Sequence, residues 1–323
     1  MTDSTDAPRV PDFFIVGHPK SGTTALYEML RRHPQIFMPE LKEPRFLASD
    51  MYFRTGGTEA SPLPDTLEEY LALFADASPG QRAGEASPLY LASELAAERI
   101  AELRPDARIV AVLREPASFL RSLHLQFVQS HIEDKGDLGT ALALEGARRE
   151  GKQIPRSSQL RPQVLQYARH VRYVEQLRRY HAVFPAEQML VLVYDDFRDD
   201  NEATVRRVLR FLGVDYTFEV EALDANPTVR VRSQRLDELL HAVSVGHGPL
   251  SRAAKTVVKA IAPRSLRRGA LGLAQRRVVY AAPRDPDEEV MAQLRARFEG
   301  EVRELSEYLN RDLVKLWGYD SGE

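Results

Sequence analysis

Phe13-Phe14-Ile15-Val16-Gly17-His18-Pro19-Lys20-Ser21-Gly22-Thr23-Thr24 decides how the rest of the chain is read. Its first four residues form a continuous apolar run, the pattern of a short strand buried on both faces. Residues 17–22 make a turn-forming loop. The spacing then predicts a helix over 23–33, with Leu26, Met29 and Leu30 on one face and Pro34 ending it. In a strand–loop–helix unit, successive backbone N–H groups form a concave anion nest, and the helix N-terminus adds partial positive charge. Gly22 lets the backbone approach an anion closely. Thr23 and Thr24 add hydroxyl donors, and Lys20 adds a full positive charge. The loop is not a Walker A loop, where lysine directly follows the second glycine. Here Thr23 follows Gly22 and the lysine lies two residues before it. A kinase reading is thereby weakened, and no strand-end acid stands out for magnesium, with Asp195 and Asp196 left open as candidates.

Working outward, two more runs read as buried strands: Arg108-Ile109-Val110-Ala111-Val112-Leu113 and Met189-Leu190-Val191-Leu192-Val193-Tyr194. Each follows a helical stretch (91–103 and 162–181) and precedes another (117–131 and 202–212). This alternation predicts an α/β fold: a single P-loop-like domain with a central parallel sheet flanked by helices on both faces. Ligands of such sheets bind at the carboxyl ends of the strands, where the loop after Val16 and the turn at Arg114 both fall. The polar residues 136–158 interrupt the alternation, with one helical patch over 138–149, and are expected to form a surface excursion or acceptor-side lid. Residues 239–284 contain no Asp or Glu and many Arg and Lys. This basic segment is expected to be mobile; a solvated stretch, an anionic acceptor and a membrane surface are its alternative readings. Val290, Leu294, Phe298, Val302, Leu305 and Leu309 predict a long packing helix within 287–317. The organisation expected is a flexible N-terminus over 1–11, one domain over 12–318 and a tail over 319–323.

The 323 residues suffice for a sizeable core, and 43% apolar with 28% charged residues is ordinary for a soluble domain. A formal charge of -3 names no partner and argues against a nucleic-acid coat. The chain has no cysteine, so disulfides, thiolate metal sites and cysteine nucleophiles are excluded together. Residues 1–10 lack the basic and apolar regions of a signal peptide, and no apolar run reaches the length of a membrane span. A cytoplasmic location is expected on these grounds.

The run from Phe14 to Thr24 resembles the 5'-phosphosulfate loop of sulfotransferases that use 3'-phosphoadenosine 5'-phosphosulfate (PAPS). Its continuation Ala25-Leu26-Tyr27-Glu28-Met29-Leu30, with His33-Pro34, resembles the carbohydrate/heparan-type and bacterial branch of that family. The resemblance covers most of 13–214. It implies that Pro19, Lys20, Ser21, Gly22, Thr23 and Thr24 hold the 5'-phosphate of the donor and that Lys20 contacts the oxygen bridging phosphate and sulfate. Arg114-Glu115-Pro116-Ala117-Ser118-Phe119-Leu120-Arg121-Ser122 resembles the family's 3'-phosphate motif, which implies that Arg114 and Ser122 bind that group. The chemistry is sound, because a guanidinium forks onto a phosphate dianion and a hydroxyl adds a donor. The alternative is that Arg114 pairs with Glu115 or another neighbour. Arg230 or Arg232 is a further candidate for closing over the 3'-phosphate.

Sulfuryl transfer needs a base for the acceptor proton. Pro39-Glu40-Leu41-Lys42-Glu43-Pro44-Arg45-Phe46-Leu47 resembles the family segment that carries a glutamate base, which makes Glu43 the candidate, with Glu40 as rival. Leu47 and Arg45 depart from the aromatic and histidine often found at those places. A surface carboxylate paired with Lys42 or Arg45 is the competing reading of Glu43. His18 is placed in the lining of the donor pocket, and His124 and His131 show no paired acid. Gly84-Glu85-Ala86-Ser87-Pro88-Leu89-Tyr90 resembles another family segment, with Ala86 where relatives carry lysine; Glu85 is a candidate for orienting an acceptor or a basic side chain, and a strand end with Ser87-Pro88 opening the next helix is the competing reading. Tyr194-Asp195-Asp196-Phe197 matches a segment read as structural.

The resemblance implies a transferase of the EC 2.8.2 class, with PAPS as co-substrate, 3',5'-adenosine bisphosphate as product and no metal. Glu43 and Lys20 would be catalytic. The acceptor would be a hydroxyl or amine of a sugar, a glycolipid or a small metabolite. Two alternatives stand beside it: a P-loop small-molecule kinase, and a non-catalytic protein that binds a 3',5'-phosphonucleotide. The oligomeric state is left open.

Overall fold

β1 (Phe13–Gly17) is buried along its whole length and lies at the centre of a five-stranded sheet in the order β2-β3-β1-β4-β5. The other strands are β2 (Ile36–Phe37), β3 (Arg82–Ala86), β4 (Arg108–Leu113) and β5 (Met189–Val193), and every pairing in the sheet is parallel. The computed structural model describes residues 8–52, 63–155, 160–219, 221, 230–231, 280–281 and 287–320.

Alternation along the strands divides the core in two. Phe14, Val16, Ile109, Ala111 and Leu113 face α3 (Ala96–Leu103), α4 (Pro116–Gln129), α8 (Tyr173–His181) and α11 (Glu288–Tyr308). Phe13, Ile15, Val110, Val112, Leu190 and Leu192 face α1 (Thr23–Arg31) and α10 (Asn201–Leu212). Helices therefore cover both faces, the arrangement that near-continuous apolar strands require.

The strands at 13–17, 108–113 and 189–193 follow the apolar runs. β3 does not, because Arg82-Ala83-Gly84-Glu85-Ala86 carries no large apolar residue. Its glycine explains its place: a Cβ on Gly84 would lie 2.1 Å from Cζ of Phe13, so only glycine admits the ring of the neighbouring strand. The helix expected over 91–103 starts at Ala96 instead. The N–H of Leu91 is taken by the carbonyl of Val16 at 2.7 Å, and Ser93 Oγ accepts from the N–H of Ala96 at 3.1 Å. The helix expected over 162–181 is broken into a 3-10 turn (Pro162–Leu165), α7 (Tyr167–His170) and α8. Gln176 fills one break, its Nε2 donating to the carbonyl of Arg169 at 2.8 Å. The helix expected within 287–317 divides into α11 and α12 (Leu313–Leu316) around Asn310, whose φ is 48°.

Residues 149–153 are exposed, while residues 136–155 as a whole anchor to the body through a few buried side chains. They form α5 (Leu138–Ala143) and α6 (Glu145–Arg149) and bury Leu138, Ala141 and Arg148. Their polarity is partly that of a buried ion pair, in which the Arg148 guanidinium donates to both oxygens of Glu133 at 2.6 and 2.7 Å. At the expected tail, Tyr319 is buried and its hydroxyl donates to Glu115 Oε1 at 2.6 Å. Within the expected flexible N-terminus, Arg9 pairs with Asp12 at 2.8 Å and Val10 packs on the core. Residues 1–7, 156–159 and 321–323, Arg232, and the basic stretch 239–284 apart from Tyr280 and Ala281 lie outside the described residues. Among the described residues, no helix is long and apolar enough to cross a membrane.

Candidate active site

From β1 the chain crosses to the β2–β3 side of the sheet, and from β4 it crosses to the β5 side. The carboxyl ends of β1 and β4 thus flank the topological switch point, the usual crevice for a ligand. The loop after β1 is fixed there by the N–H of His18, which donates to the carbonyl of Val112 at 2.6 Å. Lys20 has φ 61° and Gly22 φ 79°, so the chain makes two left-handed steps before α1. A Cβ on Gly22 would lie 2.7 Å from Cδ1 of Phe197. Gly22 caps α1 without any side-chain hydrogen bond, and the first turn of the helix holds no acidic residue. Among the described residues, the first amides of α1 therefore have no side-chain acceptor, which is what an anion site at a helix N-terminus needs.

Lys20 and Arg114 come together at this loop. Arg114 donates from Nη1 to the carbonyl of Lys20 at 2.7 Å and from Nε to Ser118 Oγ at 3.2 Å. Its guanidinium lies 4.8 Å from the centre of the Tyr194 ring. Burial, then the nearby charge of Arg114, hold the Lys20 ammonium below the ordinary lysine range. Among the described residues, neither cation forms an ion pair. Two positive groups beside an uncapped helix, with no carboxylate on either, make a site poised for an anion.

Pro19 and Thr24 are half-buried, while Ser21, Thr23 and Ser122 are buried. Ser122 lies one turn beyond Ser118 in α4 and is not bonded to Arg114. Arg114 does not pair with Glu115 either. Glu115 caps α4, accepting from the N–H groups of Ala117 and Ser118 at 3.0 and 2.6 Å. Tyr194, which opens α9 (Tyr194–Asp199), is the residue that sequence reasoning passed over. Its ring stacks on Arg114 and lies 3.3 Å from the position of a Cβ on Gly22. The signal was present, because an aromatic residue directly after a strand lies at the ligand edge of the sheet.

His18 is corrected. Its ring is fully buried beneath the loop, bonded through Nε2 to Gln176 at 2.9 Å and packed on Phe119 and Tyr173. Burial and His170 lower it to about 3, against the opposing bond from Gln176, so it is neutral and structural. His124 bonds the Tyr167 hydroxyl at 3.0 Å, and that hydroxyl donates to Glu133 at 3.1 Å. A link to an acid therefore exists where the sequence showed none. Asp195 accepts from Trp317 Nε1 at 2.9 Å and Asp196 takes both nitrogens of Arg311 at 2.6 Å, so both candidate magnesium ligands serve the fold. Among the described residues, no cluster of three or more metal-binding side chains occurs.

Glu43 stands at the carboxyl end of β3, the neighbour of β1, with its N–H donating to the carbonyl of Ala86 at 3.2 Å. Its carboxylate is partly exposed and is held by Lys42 Nζ at 2.8 Å and Arg45 Nη2 at 3.3 Å. Burial pushes the carboxyl up, but the two cations outweigh it and leave it below the usual range, ionised at neutral pH. The rival Glu40 is almost fully exposed, with Arg31 3.9 Å away.

The "Sulfotransferase family" profile matches residues 11–218, which include every group just described except the C-terminal helices. The chain belongs to the sulfotransferase family. This sulfotransferase is 29% identical over 213 residues to the human bifunctional heparan sulfate N-deacetylase/N-sulfotransferase 3, covering 64% of the chain and 22% of that protein. It is 24% identical over 253 residues to human carbohydrate sulfotransferase 15, covering 64% of the chain and 44% of that protein. The matches thus span less than half the length of these relatives. The crystal structure of a sulfotransferase from Alicyclobacillus acidocaldarius shares the fold, with a TM-score of 0.66 at 24% identity over 96% of this chain and 99% of that one.

Proposed function

We propose that this sulfotransferase moves a sulfuryl group from PAPS to a hydroxyl or amine of a carbohydrate, glycolipid or small metabolite, with Glu43 as base. The observation that carries the reading is the convergence of Lys20 and Arg114, both without ion pairs among the described residues, on the uncapped N-terminus of α1. A nucleotide with phosphates at both its 5' and 3' ends matches two cations on adjacent strand ends. Residues 19–24 would take the 5'-phosphate, and Arg114 with Ser122 and the Tyr194 ring the 3'-phosphate end. PAPS supplies an activated sulfuryl group with adenosine bisphosphate as leaving group. Lys20 is suited to offset the charge that grows on the leaving phosphate oxygen, a contribution larger in the transition state than in the ground state. Glu43, ionised at neutral pH, takes the acceptor's proton as the new bond to sulfur forms. Lys42 and Arg45 hold that carboxylate in a fixed orientation. The carbohydrate acceptor class rests on the names of the relatives, heparan sulfate N-sulfotransferase and carbohydrate sulfotransferase.

The deciding experiment couples binding to turnover. Lys20→Ala should lower sulfate transfer from ³⁵S-labelled PAPS by about 100-fold or more, the scale of losing one preorganised charge partner. Arg114→Ala should weaken 3',5'-adenosine bisphosphate at least about tenfold more than adenosine 5'-phosphate, as expected for a charge-assisted phosphate contact. Glu43→Gln should keep nucleotide affinity and lose turnover. Magnesium- and ATP-dependent phosphoryl transfer without PAPS turnover would establish the kinase alternative. Tight bisphosphate binding with no transfer to any acceptor would establish the non-catalytic one.

A further inference from the structure

Glu85 is fully buried on β3, behind the loop that carries Glu43. Tyr70 of α2 (Leu67–Ala72) donates to its Oε2 at 2.8 Å. The Ser87 and Tyr90 hydroxyls flank the carboxylate and favour its charged form, yet among the described residues Oε1 has no hydrogen-bond partner. The same two hydroxyls hold the Glu43 loop. The N–H of Arg45 donates to Ser87 Oγ at 3.3 Å, and the N–H of Leu47 donates to Tyr90 Oη at 3.1 Å. That loop needs a scaffold, because Glu43 and Arg45 have φ 60° and 62°, a region unfavourable for residues with a Cβ.

We infer that Glu85 is a positioning residue for Glu43: its carboxylate orients the Ser87 and Tyr90 hydroxyls that hold the loop, and its charge strengthens Glu43 as a proton acceptor. The inference rests on the role proposed for Glu43. The titratable groups facing Glu85 are Tyr70 of α2, Tyr90 after β3, Glu43 in the loop, Tyr52, and Tyr180 of α8. The cations Lys42 and Arg45 act on Glu43. Burial raises Glu85 to about 7, the hydroxyls of Ser87, Tyr70 and Tyr90 pull back, and Glu43 pushes further up. The buried carboxyl thus ionises across neutral pH. Once charged, it disfavours the anionic form of Glu43 and so raises that group's affinity for a proton.

The test follows sulfate transfer from saturating ³⁵S-labelled PAPS between pH 5.5 and 9 in the full chain and in Glu85→Gln. The acceptors are a pool of N-desulfated heparan, chondroitin and glycolipid, and the affinity for 3',5'-adenosine bisphosphate is measured alongside. The wild-type rate should rise about three- to tenfold through pH 7, the size of effect expected when a neighbouring charge shifts a general base by up to a unit. Glu85→Gln should lose that rise and keep its bisphosphate affinity. A flat wild-type profile between pH 6 and 8 overturns the inference, and it decides alone if the variant does not fold. So does a Glu85→Gln variant with the wild-type profile, or one that loses turnover and nucleotide affinity together at every pH, the mark of a purely structural role. Glu43→Gln separates the layers. Near-normal turnover there rejects Glu43 as base and this inference with it, whereas an inactive Glu43→Gln beside an unchanged Glu85→Gln rejects only Glu85. No transfer to any acceptor rejects the proposed function and the inference together.

Discussion

Lys20 carries its charge on a backbone with φ 61°, and the next turn needs φ 79° at Gly22. Arg114 clamps the first of these steps through the Lys20 carbonyl. Gly22 has no such freedom to change, since any side chain meets Phe197. Gly22→Ala should therefore cost roughly 1–3 kcal/mol in urea unfolding and weaken 3',5'-adenosine bisphosphate binding, read by calorimetry. Glu85 makes a second prediction at this scale. Its ordinary value is 4.5 and the fold raises it to about 7. Between those values the folded state holds a proton that the unfolded chain releases, so stability falls as pH rises from about 4.5 to about 7 and stays lower above it. The loss is of order 3 kcal/mol. The Tm of Glu85→Gln relative to wild type should accordingly climb between pH 5 and pH 8; a gap independent of pH would contradict the raised value. The loop was legible from its letters and setting. Tyr194 carries no role in the sequence reading, and Glu85 stands there only as a candidate for orienting an acceptor or a basic side chain, because the importance of both lies in what they touch.

The helices show where periodicity succeeds and where it stops. α1 and α10 follow the apolar spacing almost residue by residue, because one face of each packs on the sheet. The breaks before α8 escape the apolar spacing because side chains stabilise them: Gln176 of α8 donates to the carbonyls of Arg169 and His170, and Glu145 accepts from the N–H of Ala168 at 2.7 Å. In α6 the apolar spacing gives no sign that Arg148 is buried, since it looks like any solvated arginine in sequence. The pair it makes with Glu133 is completely buried, with no side-chain exposure on either partner. Glu133→Ala should thus destabilise by about 3–5 kcal/mol, because it strands a buried cation, whereas Glu133→Leu with Arg148→Met should cost much less. Urea unfolding of the single and double variants distinguishes the two.

Across the whole molecule, the chain returns at its end to the ligand edge of the sheet. Trp317 bonds Asp195, Arg311 bonds Asp196 and Tyr319 bonds Glu115, the residues that follow β5 and β4. These contacts differ in worth. Arg311 and Asp196 are each more than a third exposed, so Arg311→Ala should cost under about 1 kcal/mol. Trp317 is buried, and Trp317→Ala should cost about 3–5 kcal/mol. Because Asp195 adjoins Tyr194, the tryptophan variant should also weaken bisphosphate binding, which the arginine variant should spare. Thermal melts and calorimetry on both check this.

The sequence by itself determined the alternation of strand and helix, the parallel sheet and the glycine-containing loop at the end of its first strand. Those follow from local patterns: apolar runs, helical spacing, and a glycine between a lysine and two threonines. Only the tertiary structure decided that Arg114 closes on Lys20, that His18 is buried beneath the loop, that the Glu43 loop is held by the Ser87 and Tyr90 hydroxyls, and that Trp317 and Tyr319 brace the strand ends. Each depends on residues far apart in the chain and on burial, which sets both the partners and the charge of a side chain and leaves no trace in the order of the residues.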